Sequence, residues 1–232
     1  MSNSKLVDYK KISPNSSART AKIDRITIHH MAGNLSVESC AAVFQSTNRQ
    51  ASSNYGIGSD GRIGLYVDES RRAWTSSNWE NDNRAVTIEV ANDGGAPDWH
   101  VSDKALASLI DLCVDICQRN GIEKLNYTGD TSGNLTMHKW FAATACPGPY
   151  LGSKFPYIAE EANKRLNKLA ENNAKEKSEM VKYNTLEEVP DYGKETIKKL
   201  IDCGALKGKS TGLNLSEDML RTFVILDRMG KL

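Results

Sequence analysis

The sequence predicts an α/β fold, a mixed central β-sheet covered by helices, followed by a small all-helical C-terminal module. Three observations carry this. Short β-branched, apolar runs at 25–30 and 85–90 read as strands. They are separated by segments whose apolar residues recur at helical spacing, and strands alternating with helices make a sheet with helices on its faces. Late in the chain, Glu171-Asn172-Asn173-Ala174-Lys175-Glu176-Lys177-Ser178-Glu179 is polar and highly charged, the composition of a linker. The chain therefore divides into a main domain over 1–168, a linker over 169–182 and a module over 183–232. That module, at about fifty residues, is close to the lower limit for independent folding.

Taken in order, Ile12-Ser13-Pro14-Asn15 is a loop and Arg25 to His30 a strand. Ser36 caps a helix with Val37, Cys40, Ala41 and Phe44 on its apolar face. Gln50 to Ser53 is a polar connection. Tyr55-Gly56-Ile57 and Arg62-Ile63-Gly64-Leu65-Tyr66 flank Ser59-Asp60-Gly61, a hairpin signal. Ala85 to Val90 lacks clean alternation, which predicts a central strand. Asn92 to Pro97 is a loop of turn formers. Ser102 caps a helix that Gly121 ends, and the polar run 128–136 leads into His138. Phe155 to Leu169 is amphipathic, with Ile158, Ala162, Leu166 and Leu169 on one side. In the module, Tyr192 to Asp202 forms one helix, ended by Cys203-Gly204. Ser216 caps another, with Glu217 and Asp218 complementing its dipole.

The 232 residues are 39% hydrophobic and 25% charged, an ordinary globular balance. With 30 basic against 29 acidic residues and no basic cluster interleaved with aromatics, nucleic acid is not an expected partner. No apolar run is long enough for a membrane span. Met1-Ser2-Asn3-Ser4-Lys5 has no apolar stretch behind its charge, so no secretory signal is expected and synthesis in a reducing cytosol is. Among the five cysteines, Cys113 and Cys117 share a helical stripe with Leu106, Leu109, Ile110 and Ile116 and read as buried free thiols. Cys40 and Cys203 read the same way.

The chemistry concentrates in three blocks. Ile26-Thr27-Ile28-His29-His30 brings histidine to a strand end. Met137-His138 and Thr144-Ala145-Cys146-Pro147-Gly148 bring a second imidazole and a thiol in a turn. Two imidazoles and a thiolate suit zinc, Zn2+, and three protein ligands leave a fourth position open for water. Between them lies an isolated acid, Glu89, in Val86-Thr87-Ile88-Glu89-Val90. A carboxylate in an apolar strand costs several kcal/mol unless it is paired or used. It is therefore either a general base or one half of a salt bridge to Arg84 or Arg25. Adjacent strand residues face opposite ways, so only one of His29 and His30 can face the metal, and spacing does not say which. His100 matches no motif and reads as a surface residue.

In combination and in order, these blocks resemble the type 2 N-acetylmuramoyl-L-alanine amidases, the family of peptidoglycan recognition proteins and phage lysozyme-type amidases. The matching segments are His29-His30-Met31-Ala32-Gly33, Asn83-Arg84-Ala85-Val86-Thr87-Ile88-Glu89, and His138 with Thr144, Cys146, Pro147 and Gly148, over residues 10 to 168. The resemblance implies that His29, His138 and Cys146 hold zinc, that His30 is structural, and that Glu89 is the acid–base residue. Thr144 stands where the family has Lys or Thr. Its hydroxyl either donates to an oxyanion or makes a turn hydrogen bond. Some relatives place a Tyr in the preceding strand. That position is Ser53 here, so Tyr55 is expected to pack rather than react. Trp74 matches a groove-lining aromatic, although Thr75 comes after it where relatives commonly have His. Trp79, Trp99 and Trp140 either line a glycan or peptide groove or pack.

By the same resemblance, the expected reaction is hydrolysis of the amide between N-acetylmuramic acid and the L-alanine of bacterial peptidoglycan. Without a leader, the chain is expected to be a phage or prophage endolysin made in the bacterial cytoplasm and acting on the wall after release. The alternatives are a cytosolic muropeptide-recycling amidase and a non-catalytic peptidoglycan-binding protein; the latter would need neither Cys146 nor Glu89. The C-terminal module looks like one S-layer homology repeat, with Leu215-Ser216-Glu217-Asp218 in place of the usual signature. It is expected to bind a wall polymer or to self-associate.

Overall fold

A computed structural model describes residues 2–179 and 182–232. The strands are β1 (Tyr9–Lys10), β2 (Ser16–Ala18), β3 (Arg25–His30), β4 (Tyr55–Ile57), β5 (Ile63–Leu65), β6 (Arg71–Ala73), β7 (Ala85–Val90), β8 (Leu135–Met137), β9 (Lys182–Tyr183) and β10 (Leu215–Ser216). The helices are α1 (Val37–Val43), α2 (Trp79–Arg84), α3 (Asp103–Asn120), α4 (Pro149–Ser153), α5 (Phe155–Glu179), α6 (Asp191–Asp202) and α7 (Glu217–Arg228). The chain forms two compact units, Met1–Lys168 and Leu169–Leu232.

The first unit is built on a mixed six-stranded sheet of order β1-β5-β4-β7-β3-β8. β7 lies in its middle, as expected for 85–90, parallel to β4 and β3; β3 is also parallel to the edge strand β8, while the β4–β5 hairpin runs antiparallel. Contrary to the reading of Ala85–Val90 as lacking alternation, period two governs both central strands. Ile26, Ile28, Val86, Ile88 and Val90 join Leu109, Cys113 and Ile116 of α3 and Phe155, Ile158 and Ala162 of α5 in one apolar core. The opposite face carries Thr27, Thr87 and Thr136, also fully buried. Hydroxyls disguise this face as apolar because they are satisfied locally. Thr27 Oγ1 lies 2.9 Å from Thr136 Oγ1, Asn81 Nδ2 donates to Thr27 Oγ1 at 3.0 Å, and Thr75 Oγ1 lies 2.8 Å from Thr87 Oγ1. Toward the C-terminal strand ends the same face continues as His29 and Glu89.

The helix signals are realised as side-chain caps. Ser36 accepts from Ser39 N–H, Ser102 accepts from Ala105 N–H, and Gly121 closes α3 in the left-handed region at φ 67°. Tyr55 is fully buried on the core side of β4, and its hydroxyl donates to Glu69 at 2.6 Å. Its role is packing. Cys113, Cys117 and Cys40 are buried thiols, but Cys203 is exposed, because it caps the end of α6 where the chain turns away.

Several elements escaped the sequence reading. β2 and β6 pair as a polar ribbon of Ser-Ser-Ala against Arg-Arg-Ala, which has no apolar alternation to detect. α2 is Trp-Glu-Asn-Asp-Asn-Arg, held by Asn78 accepting from Asn81 N–H rather than by an apolar stripe. α5 runs to Glu179 instead of ending at Leu169, so the segment read as linker begins as helix. The run from Ala170 to Glu179 is rich in Ala, Glu and Lys and has no Gly or Pro to stop it.

The second unit packs α6 on α7 around Val189, Ile197, Leu200, Leu215, Leu220 and Val224. Alongside its helices it carries a two-residue antiparallel pair, β9 with β10. Among the described residues no helix is long and apolar enough to cross a membrane.

Candidate metal centre

The candidate centre forms at the C-terminal ends of the parallel strands, where open α/β sheets place their ligand sites. His29 is the penultimate residue of β3 and is 1% exposed. Its Cα partner on β7 is Glu89, so the imidazole and the carboxylate stand side by side on one face. His138 comes directly after β8, in a single 3-10 turn (His138–Trp140). Cys146 comes back to it because Lys139 N–H donates to Cys146 O at 3.0 Å and Gly148 N–H donates to Ala145 O at 2.9 Å. Gly148 then opens α4 at φ +83°. A Cβ there would sit 3.1 Å from Trp99 Cβ and 3.2 Å from the His30 ring, so glycine is required twice over.

Ligand atoms of His29, His138 and Cys146 all lie within 4.8 Å of one another. The His29 and His138 rings are 4.4 Å apart. Nε2 of each is buried without a hydrogen-bond partner, a costly arrangement for two imidazoles unless something else occupies them. Burial, aided by the neighbouring histidines, holds His29 well below the ordinary imidazole range, and burial lowers His138 too. Both are therefore neutral and have lone pairs to give. Burial and the charge of Glu89 push the Cys146 thiol up, so its thiolate needs a cation beside it. Two neutral imidazoles and a thiol that ionises only with a cation make a three-ligand set for a transition metal.

His30 takes the other side of β3. Its ring meets Trp99 edge-on at 5.5 Å and its backbone N–H donates to Cys146 Sγ at 3.4 Å, which buttresses the thiol. Glu89 lines the cleft, yet its Oε2 is inaccessible and unpartnered. The salt-bridge alternatives fail: Arg84 pairs with Asp24, and Arg25 donates to Asn81 Oδ1 and to the carbonyls of Thr131 and Gly133. Burial pushes the Glu89 carboxyl up to about 8. Thr144 is exposed at the cleft, and its Oγ1 accepts from Cys146 N–H at 3.2 Å. The turn hydrogen bond thus exists, and it leaves the hydroxyl proton unspent.

The cleft encloses ≈ 390 Å³, lined among others by Met31, Leu35, Val43, Phe44 and Arg49. Met31 lies in the first motif block and Phe44 on the apolar face read for α1, but Leu35, Val43 and Arg49 carry no sequence signal, because the segments around α1 reach the strand ends only through the fold. Trp74 does not line this cleft. With exposed Trp79 it lines a neighbouring groove that also includes Arg72 and Asp82. Trp140 stacks on Tyr127, and His100 pairs with Asp93 on the surface. Ser53 is fully buried and outside the cleft lining, its one hydroxyl proton within reach of either Tyr55 O or Thr87 O.

The family model for N-acetylmuramoyl-L-alanine amidase matches residues 19–149, which spans β3, Glu89, His138 and Cys146. A search of curated proteins finds no match. Among solved structures, PlyL is similar at TM-score 0.54 and 16% identity, covering 66% of this chain and 95% of its own. A mutant endolysin from Bacillus subtilis is similar at TM-score 0.53 and 18% identity, covering 68% and 99%. The Staphylococcus aureus hydrolase AmiA with its ligand gives TM-score 0.55 and 15% identity over 68% and 82%. At such identities the likeness is one of fold.

Proposed function

The chain belongs to the family of N-acetylmuramoyl-L-alanine amidases, and on that premise we propose that it is a zinc-dependent peptidoglycan amidase that cuts the amide between the lactyl group of N-acetylmuramic acid and the L-alanine of the stem peptide. The observation that carries this reading is the convergence of His29, His138 and Cys146 within 4.8 Å beside an unpaired buried carboxylate oxygen of Glu89. The donor set fits zinc, with His29, His138 and Cys146 as its ligands and one coordination position left over. When bound, zinc supplies Lewis acidity, polarising the scissile carbonyl and bringing the pKa of water down to about 7.

The proton work falls to Glu89. Without an ion pair among the described residues, and raised by burial toward neutrality, it takes one proton from the attacking water as the new C–O bond forms. It returns that proton to the leaving nitrogen as the C–N bond breaks, which frees the L-alanine amine and the lactyl carboxylate. Thr144, whose oxygen already accepts from Cys146 N–H, has its hydroxyl proton available for the oxyanion. The apolar wall of Met31, Leu35, Val43 and Phe44 excludes water from one side of the cleft.

The likeness to an endolysin supports a lytic role on the bacterial wall after release from the cytoplasm. The C-terminal unit would then hold the enzyme to a wall polymer, with self-association as the alternative. The test is dye release from labelled sacculi by the full chain, with mass spectrometry of the products. Release should stop with a chelator, return with zinc, and expose new L-alanine amino termini. New sugar ends without free L-alanine would overturn the assignment.

A further inference from the structure

The first unit contains nine arginines, and eight of them have their guanidinium groups engaged. Arg19, Arg25, Arg71 and Arg72 donate to backbone or hydroxyl oxygens, and Arg62, Arg84, Arg119 and Arg165 pair with carboxylates. Arg49 is the ninth. Among the described residues its side chain has neither a hydrogen bond nor an ion pair. Among the described residues it is also the one lysine or arginine that lines the metal cleft.

The loop that presents Arg49 is not slack. Asn15, 2% exposed, has its Nδ2 at 3.2 Å from Phe44 O, 2.9 Å from Ser46 O and 3.0 Å from Ala51 O. Ser13 Oγ donates to Phe44 O at 2.6 Å, and Ser52 Oγ donates to Asn15 O at 2.5 Å. A buried amide and two hydroxyls are thus committed to fixing a segment whose residues 46–50 are all exposed. Within that segment Arg49 ends a 3-10 turn and Gln50 bends back in the left-handed region at φ 49°. Arg49 faces the metal cleft, whereas Gln50 lines the Trp74–Trp79 groove, so the loop is the ridge between the two. Rigid presentation lowers the entropy lost when a ligand is bound.

We propose that Arg49 is a specificity-determining residue that receives a carboxylate of the stem peptide. This rests on the amidase reading above. A guanidinium offers a planar pair of donors matched to a carboxylate, and this one is spent on nothing among the described residues. In that substrate the muramic lactyl carboxyl is consumed in the scissile amide and the N-acetylated sugars are neutral. The anion therefore lies on the peptide, the leaving-group side. Arg49 lines the same cleft as Glu89, His138, Thr144 and Cys146, which puts its charge on the wall that a bound peptide would pass.

The test uses the zinc-loaded full chain and two muramoyl tripeptides that differ only in whether the peptide carboxyls are free or amidated. Wild type should prefer the free acid by roughly 10- to 100-fold in kcat/KM, expressed mainly in KM, and added salt should shrink that preference. Arg49→Gln should abolish the preference, losing about that factor on the acid and changing the amidated substrate less than about threefold. Arg49→Lys should retain part of it, keeping the charge without the fork. Zinc content should be unchanged in both variants. Equal loss on both substrates would mean that Arg49 acts through the site itself, and no loss on either would place the anion elsewhere; each overturns the proposal while leaving the amidase reading standing. Failure of wild type to cut either compound overturns both.

Discussion

Cys146 and Glu89 show how burial gives a residue a task. The Cys146 thiol is raised by burial and by the charge of Glu89, so a cation must stabilise its thiolate. Cys146→Ala should therefore fold but lose most bound metal, read by elemental analysis after dialysis; full occupancy would remove Cys146 from the ligand set. Glu89 is displaced the same way, from 4.5 to about 8. Its folded value exceeds its unfolded one, so in the metal-free protein the folded state holds this proton more tightly, and stability falls as pH rises between those values. Glu89→Gln should remove that dependence, keep or raise the melting temperature, and retain zinc. Turnover of sacculi should drop by roughly 10²- to 10⁴-fold, the usual contribution of a positioned acid–base group. Near-wild-type turnover would mean that another group moves the proton.

Elements convert these residues into a site. The turn from His138 to Gly148 depends on Gly148 at φ +83°, pressed against Trp99 and His30. Gly148→Ala should cost about 1–3 kcal/mol from the positive φ and the close contacts together, and it should weaken zinc binding, because the same turn aims Cys146. Guanidinium melts and a competitive zinc titration check the two effects; an unaltered zinc affinity would show that the turn is stiffer than its glycine. In the second unit Glu217 plays the organising part. It accepts from Tyr183 on β9 at 2.6 Å, from Tyr192 on α6 at 2.8 Å and from Arg221 on its own helix at 2.8 Å. The Tyr183 hydroxyl first, then Arg221 and Tyr192, lower its pKa to about 2. A depressed folded value contributes stability that is complete above pH 4.5 and lost as pH falls toward about 2. Hydrogen exchange of α6 and α7 in the full chain should show protection declining over that window, and Glu217→Gln should already be less protected at about pH 7.

At the scale of the molecule, the chain carries two units with separate cores, one around the sheet and one between α6 and α7. The second leaves Ile225 on α7 57% exposed and Met229, just past its end, 62% exposed, more apolar surface than two short helices hide. If that unit holds a wall polymer, a chain ending at Lys175 should hydrolyse soluble muropeptides as well as the full chain does. It should bind and lyse intact cells less, because tethering raises the local enzyme concentration. Pull-down with purified walls and light scattering of the full chain separate wall binding from self-association. Equal lysis by both chains would make the unit an extension without a targeting role.

Which residues the candidate centre draws on, and where α1, α3 and α7 start, was legible in the sequence alone. Histidine at a strand end, cysteine before Pro-Gly and a carboxylate in an apolar strand are local and expensive, so they declare themselves. Ser36, Ser102 and Ser216 are capping residues whose bonds are made within three positions. Everything that depends on register waited for the folded chain. Only the pairing of β3 with β7 sets Glu89 beside His29, and only the hydroxyl network on the sheet's reverse face shows why Thr27 and Thr87, which alternate with apolar residues in the sequence, are buried. The short ribbons and α2 stayed hidden because hydrogen bonds from Asn, Ser and Arg hold them, with no apolar period to betray them. Arg49 was illegible for the same reason. It is an ordinary polar turn residue in the sequence, and it acquires meaning only from Asn15, 34 positions earlier, which fixes its loop at the edge of the cleft.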